Sequence, residues 1–216
     1  MALCGLLAGC AEIPTQEAGS YVVKPQDTLY SIAWRHGLNY QDIARWNHIG
    51  PDFRIVVGQT LLLHGTPGTG SSPPPRPAVG TAAPRARNEP PAAPPSNLKW
   101  LWPTEHSSAP QSVPGGGILI SGRLGQDVRA ACAGKVVYVG DGIRGYGNLV
   151  IVQHGEDLLS AYAHNRDVQV RESAEVSAGQ IIGHMGEGSP GKPVLYFEIR
   201  RAGKPVDVLP FLAGSN

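Results

Sequence analysis

"KPVLYFEIR", Lys192–Arg200, alternates with a period of two. Leu195, Phe197 and Ile199 fall on one face, Val194, Tyr196 and Glu198 on the other, which is the pattern of a β-strand. The first face is wholly apolar and reads as core. The second sets a Val and a Tyr beside a Glu, an odd lining for either a solvent face or a core. Working outward, "GILI", "KVVYVG", "NLVIVQHG", "LLSAYAH" and "QIIGHMG" repeat the strand-like character at short intervals, separated by glycines. No segment here has a convincing helical period. Trp100–Leu212 is therefore expected to form an all-β, mostly antiparallel sheet, with "QHGED" (Gln153–Asp157) as a hairpin turn.

The chain has 216 residues, a net charge of +1, 41% hydrophobic and 16% charged residues. That length suits one or two small domains. The near-neutral balance gives no electrostatic reason to expect a nucleic-acid partner. Of the three cysteines, Cys132 lies in a strand-like run and reads as a small buried hydrophobe. No zinc spacing or disulfide framework follows from Cys4, Cys10 and Cys132. No serine has the context of a nucleophile elbow.

The N-terminus, "MALCGLLAGCAE", is apolar and uncharged until Glu12. "LLAGC" is similar to a lipoprotein cleavage box, in which the cysteine after small residues becomes lipidated. The resemblance implies residues 1–10 as a signal remnant and Cys10 as the lipidated residue. A basic region is missing ahead of it, and the expectation is either that the true start lies upstream or that the N-terminus is truncated. No other apolar run approaches the ~18 residues needed to cross a bilayer. The expectation is a protein anchored to a membrane rather than spanning it. By resemblance to the lipoprotein sorting rule, Ala11 after the cysteine implies the outer membrane, facing the periplasm.

Residues 65–97, "GTPGTGSSPPPRPAVGTAAPRARNEPPAAPPSN", hold half of the 20 prolines and almost no large apolar residue. Such a stretch cannot bury a core and reads as a Pro-rich linker. At roughly 3 Å per residue where extended it would reach up to about 100 Å, as if its two sides worked in different places.

Before the linker, residues 20–64 give the order β-α-α-β. "YVVK" reads as a strand, and Asp27 or Thr28 as the cap of a helix over Leu29–His36 that Gly37 ends. A second helix is expected over Tyr40–Asn47, and "GQTLLL" as the closing strand. The run "YVVKPQDTLYSIAWRHGLNYQDIARWNHIGPDFRIVVGQTLLL" resembles a LysM domain nearly throughout, with Gln26 where that family usually has Gly. The resemblance implies binding of peptidoglycan glycan chains through Gln26, Asp27, Thr28 and Leu29 on one side and Pro51, Asp52 and Ile55 on the other. Short polar and backbone groups would bond the N-acetyl groups while apolar side chains cover their methyls. Thr28 could serve only as the helix cap.

The strand segments of residues 98–216 resemble the LytM-type, lysostaphin-like zinc-peptidase fold. In active members, a His-x-x-x-Asp and a His-x-His supply the zinc ligands and a catalytic histidine, and a Tyr-Ala-His segment adds another. Residues i and i+2 of a strand point the same way about 7 Å apart, which lets one hold metal while its neighbour reaches the attacking water. Here the first motif aligns with "GGGIL", placing Gly115 and Leu119 at the ligand positions. The His-x-His aligns with "VLY", placing Val194 and Tyr196. Only His164, in "AYAH", remains, so the resemblance implies no metal, no cofactor and no catalysis. His154 and His164, set apart along one hairpin, cannot share an ion, and His184 reads as a loop residue.

Lipobox, LysM, Pro-rich linker and metal-less LytM-like domain, in that order, resemble the NlpD family of bacterial envelope lipoproteins. The resemblance implies a non-enzyme that activates an N-acetylmuramoyl-L-alanine amidase during septal wall splitting. The partner-binding groove would be lined by Gly115, Leu119, Tyr146, Tyr162, His164, Val194 and Tyr196. A passive peptidoglycan tether is the alternative reading, and an active zinc endopeptidase a more distant one.

Overall fold

The computed structural model describes residues 19–65, 98–155, 157–188 and 191–213. The Cys10 motif and nearly all of the Pro-rich stretch lie outside them.

The first unit runs β1 (Ser20–Val22), α1 (Leu29–His36), α2 (Tyr40–Trp46) and β2 (Thr60–Leu62), with β1 and β2 antiparallel. This is the expected βααβ order. Thr28 is the cap of α1: its side chain accepts from the Ser31 N–H, and the Ser31 hydroxyl oxygen accepts from the Thr28 N–H. Asp27 does something else, accepting from the Tyr21 hydroxyl and the Lys24 N–H while pairing with Arg35. Gly37 closes α1 at φ 63°. Asn47 follows α2 and ties it to β2, donating to the Leu62 carbonyl and accepting from the Leu62 N–H. Leu29, Ile32, Ile43 and Leu61 fill the small core.

The second unit contains β3 (Gln111–Ser112), β4 (Ile118–Ser121), β5 (Asp127–Arg129), β6 (Gly134–Gly140), β7 (Asn148–Gln153), β8 (Leu158–Val168) and β9 (Glu175–Val176). It continues with β10 (Ile181–Met185), β11 (Glu187–Gly188), β12 (Lys192–Arg201), β13 (Lys204–Val206) and the short helix α3 (Leu209–Leu212). Each strand-like segment of the sequence forms a strand, and the α3 turn is an addition to the all-β expectation. The main sheet is ordered β3-β4-β12-β8-β7-β6-β9, antiparallel throughout. β12 sits inside it, hydrogen-bonded to β4 on one side and β8 on the other. Its apolar face, Leu195, Phe197 and Ile199, joins Ile118, Ile120, Val150, Val152 and Tyr162 in the inner core.

The opposite face of the sheet is apolar too. Leu149, Ile151, Leu159, Ala161 and Ala163 belong to the same cluster as Ile32, Trp34, Tyr40 and Ile43 of the first unit. A strand covered on both faces has no need of alternation, which is why "NLVIV" runs unbroken. Withdrawing a Leu or Ile from water contributes on the order of 2 kcal/mol. Two polar fastenings orient the contact. The Gln153 amide accepts from the Tyr30 hydroxyl at 3.2 Å and donates to the Tyr40 hydroxyl at 2.7 Å. The Arg200 guanidinium stacks 3.8 Å from the Trp34 ring and donates to the Trp34 carbonyl at 2.7 Å. The two units, read as parts working in different places, are packed on one another here. A linker's composition says how far its ends can part, not whether they dock.

Candidate functional site

The second face of β12 builds a groove. Val194 and Tyr196 stand two residues apart on it, and β4 sets Leu119 opposite Tyr196. With Val113, Gly145, Tyr146, His164 and Gly188 they line a cavity of about 280 Å³. His164 reaches it because β8 breaks step there. Its φ is 63°, its N–H donates to the Tyr146 carbonyl, and its carbonyl accepts from Gly186, each at 2.8 Å.

That break corrects the place of Tyr162. In a regular strand Tyr162 and His164 would share a face, but Tyr162 is fully buried in the inner core. Its hydroxyl accepts from the Ala131 N–H at 2.8 Å and lies 2.9 Å from Ser160 Oγ. Gly115 also falls outside the groove, on an exposed neighbouring loop at φ 92°. Val113, Gly145 and Gly188 line the cavity without having been singled out, since the motif positions do not pass through them. At Gly188 a Cβ would come 2.5 Å from Val194 Cγ1, so its lack of a side chain keeps the groove open.

Beneath the groove lies a buried charge pair. The Tyr196 hydroxyl donates to Glu198 at 2.7 Å, and Arg200 Nε donates to the other carboxylate oxygen at 2.7 Å. Glu198 is 1% exposed. The Tyr146 hydroxyl lies 3.4 Å from the same oxygen that Tyr196 holds. Burial first, and the Glu198 charge second, push the Tyr196 phenol far up, so it stays protonated. Burial lowers the His164 pKa and favours the neutral ring.

These donors do not fit a zinc ion. Gly115 has no side chain, Leu119 and Val194 cannot coordinate, and the Tyr196 oxygen is a protonated donor turned toward Glu198. Among the described residues no group of three His, Cys, Asp or Glu side chains converges to hold a metal. His154 is buried against the Ala133 carbonyl and Ser160. His184, read as a loop residue, lies in β10 with its Nδ1 2.5 Å from Asp167.

A second cavity, of about 510 Å³, opens beside the first unit. Asp27, Thr28, Pro51, Asp52 and Ile55 line it as the sequence suggested, joined by Tyr30, Phe53 and Arg54. Tyr30 and Phe53 meet edge to face at 5.9 Å. Leu29 does not line it: as the first residue of α1 it points into the core at 1% exposure. Gln26 stands outside, exposed at φ 68°, which is the left-handed position where the family's Gly is at ease. The Asp27 carboxylate and the Thr28 hydroxyl are committed to Arg35 and the helix cap.

Comparison with known proteins agrees with both units. The LysM domain profile matches residues 21–63, and that of Peptidase family M23 matches residues 114–208. A solved structure of an M23 peptidase from Pseudomonas aeruginosa superposes with a TM-score of 0.50 at 27% identity, covering 55% of this chain and 52% of that one. Over most of its length the chain resembles the lipoprotein NlpD/LppB homolog of Pseudomonas aeruginosa, at 36% identity over 97% of this chain and 89% of the relative. It is also 34% identical to the murein hydrolase activator NlpD of Salmonella typhimurium, over 89% of this chain and 68% of that one. With a LysM unit packed on an M23-type sheet, the chain belongs to the NlpD/LppB family of lipoproteins.

Proposed function

We propose that this chain is a non-catalytic envelope lipoprotein that binds peptidoglycan and activates an N-acetylmuramoyl-L-alanine amidase that splits septal wall. The single observation that carries the reading is the groove on β12. Leu119, Val194 and Tyr196 line it, and with Gly115 on the neighbouring loop they stand where the resemblance puts a peptidase's three metal ligands and one catalytic histidine, with apolar or protonated groups in place of metal donors. An uncharged depression of this kind, rimmed by Tyr146 and Tyr196, suits the anchor side chain of a protein partner. The name of the Salmonella relative, an activator rather than a peptidase, supports the same reading. Activation requires only that the groove bind the amidase's open form better than its closed form. Cys10 would carry the lipid, holding the protein at the outer membrane on its periplasmic side.

The test mixes the full chain with the division amidase of its own cell on dye-labelled murein. Wild-type protein should raise hydrolysis at least tenfold, and Leu119→Asp should return it to the basal rate with murein pull-down unchanged. Basal hydrolysis with wild-type protein would leave the LysM unit as the sole function, a passive tether.

A further inference from the structure

The far wall of the 510 Å³ cavity does not belong to the LysM unit. It is built by Lys135 of β6, Gln153 of β7, and Glu172 and Ser173 before β9. Resting on the peptidoglycan-binding reading above, we propose that the saccharide site is composite. One wall comes from the LysM unit and the other from the M23-type sheet, and the ligand is a neutral β-linked chain of N-acetylated sugars.

Three observations carry this. First, the wall is fixed rather than incidental. Gln153 is clamped between the hydroxyls of Tyr30 and Tyr40, and Tyr30 itself lines the cavity. Second, the charges facing the cavity from the two sides differ in what engages them. On the LysM side Asp27 is held by Arg35, and Asp52 lies 3.9 Å from Arg54. On the sheet side, among the described residues, the Glu172 carboxylate accepts from the Val139 N–H alone and Lys135 makes no ion pair. Both are exposed, so their polar capacity is open to a ligand. Third, an ammonium with three donors and a carboxylate acceptor on the same wall suit groups that both donate and accept, as sugar hydroxyls do. Tyr30, Phe53 and Val137 add apolar surface for ring faces and acetyl methyls. The volume lies in the usual range for small-molecule pockets, about 300–1,000 Å³.

The probe is a pentamer of β-1,4-linked N-acetylglucosamine titrated into the full chain by calorimetry and by amide NMR. The amides of Lys135 and Ser173 should shift together with those of Asp52 and Phe53. The double variant Lys135→Ala/Glu172→Ala, on two exposed positions, should weaken binding five- to tenfold. If wild-type protein binds and the double variant stays within twofold of it, with shifts confined to the LysM unit, the composite site is wrong and the LysM reading stands. If wild-type protein shows neither heat nor shifts, the LysM reading falls and this site with it.

Discussion

His154 is enclosed on every side. Its Nδ1 lies 2.7 Å from the Ala133 carbonyl, its Nε2 lies 2.7 Å from Ser160 Oγ, and Trp100 packs against its ring at 4.9 Å. Burial drives its pKa down to about 4, against an ordinary value near 6.5. The unfolded chain therefore takes up the proton first. Stability tied to this ring is complete above about pH 6.5 and is lost as pH falls toward 4, amounting to on the order of 3 kcal/mol. Urea unfolding at a series of pH values should show the decline in the wild type and a much shallower one in His154→Gln. Equal slopes would assign the acid sensitivity to other groups. At this scale the sequence is unevenly legible. Leu119, Val194 and Tyr196 were located because a motif marks their places. Tyr162 was misplaced because one left-handed residue, His164, switches the face of β8, and a pattern of types carries no sign of that switch.

Among the elements, β4 and β12 hold the groove's walls together, and Gly117 sets how closely they meet. Its φ is 81°, and a Cβ there would lie 2.8 Å from the Phe197 carbonyl oxygen and 2.9 Å from the Tyr196 hydroxyl. Gly117→Ala should combine backbone strain with that collision and destabilise the fold by about 2–3 kcal/mol. Chemical denaturation measures it, and a loss below half of that figure would mean that β4 can slide away from β12. Long strands such as β8 and β12 were legible because several residues repeat the same alternation. The two-residue strands β3, β9 and β11 were not, since two residues carry no period. The extent of α1 was legible because a polar cap and the stop at Gly37 both follow local rules, though these do not choose between Asp27 and Thr28 as the cap.

For the whole molecule, the contact between the two units was the part that sequence reading left out. Its signal was present in "NLVIV", where Leu149 and Ile151 are as apolar as Val150 and Val152, but an apolar run does not say what covers its second face. Trp34 is the hinge of that contact, stacked on Arg200 and edge-on to Tyr146 at 6.4 Å. Trp34→Ala should uncouple the units, so that one calorimetric transition becomes two, the earlier from the LysM unit. A single sharp transition in the variant would show that Leu149 and Ile151 hold the units together without it.

Because one polypeptide joins them, the closing of LysM onto the sheet is an intramolecular event governed by effective concentration rather than by the amount of protein. Two modules joined in one chain can meet at an effective concentration on the order of 1 mM. A contact with an intrinsic dissociation constant of about 0.1 mM, negligible between separate molecules at cellular levels, would then be closed about nine-tenths of the time. Cleavage anywhere in residues 66–97 would remove that advantage without touching a single interfacial side chain.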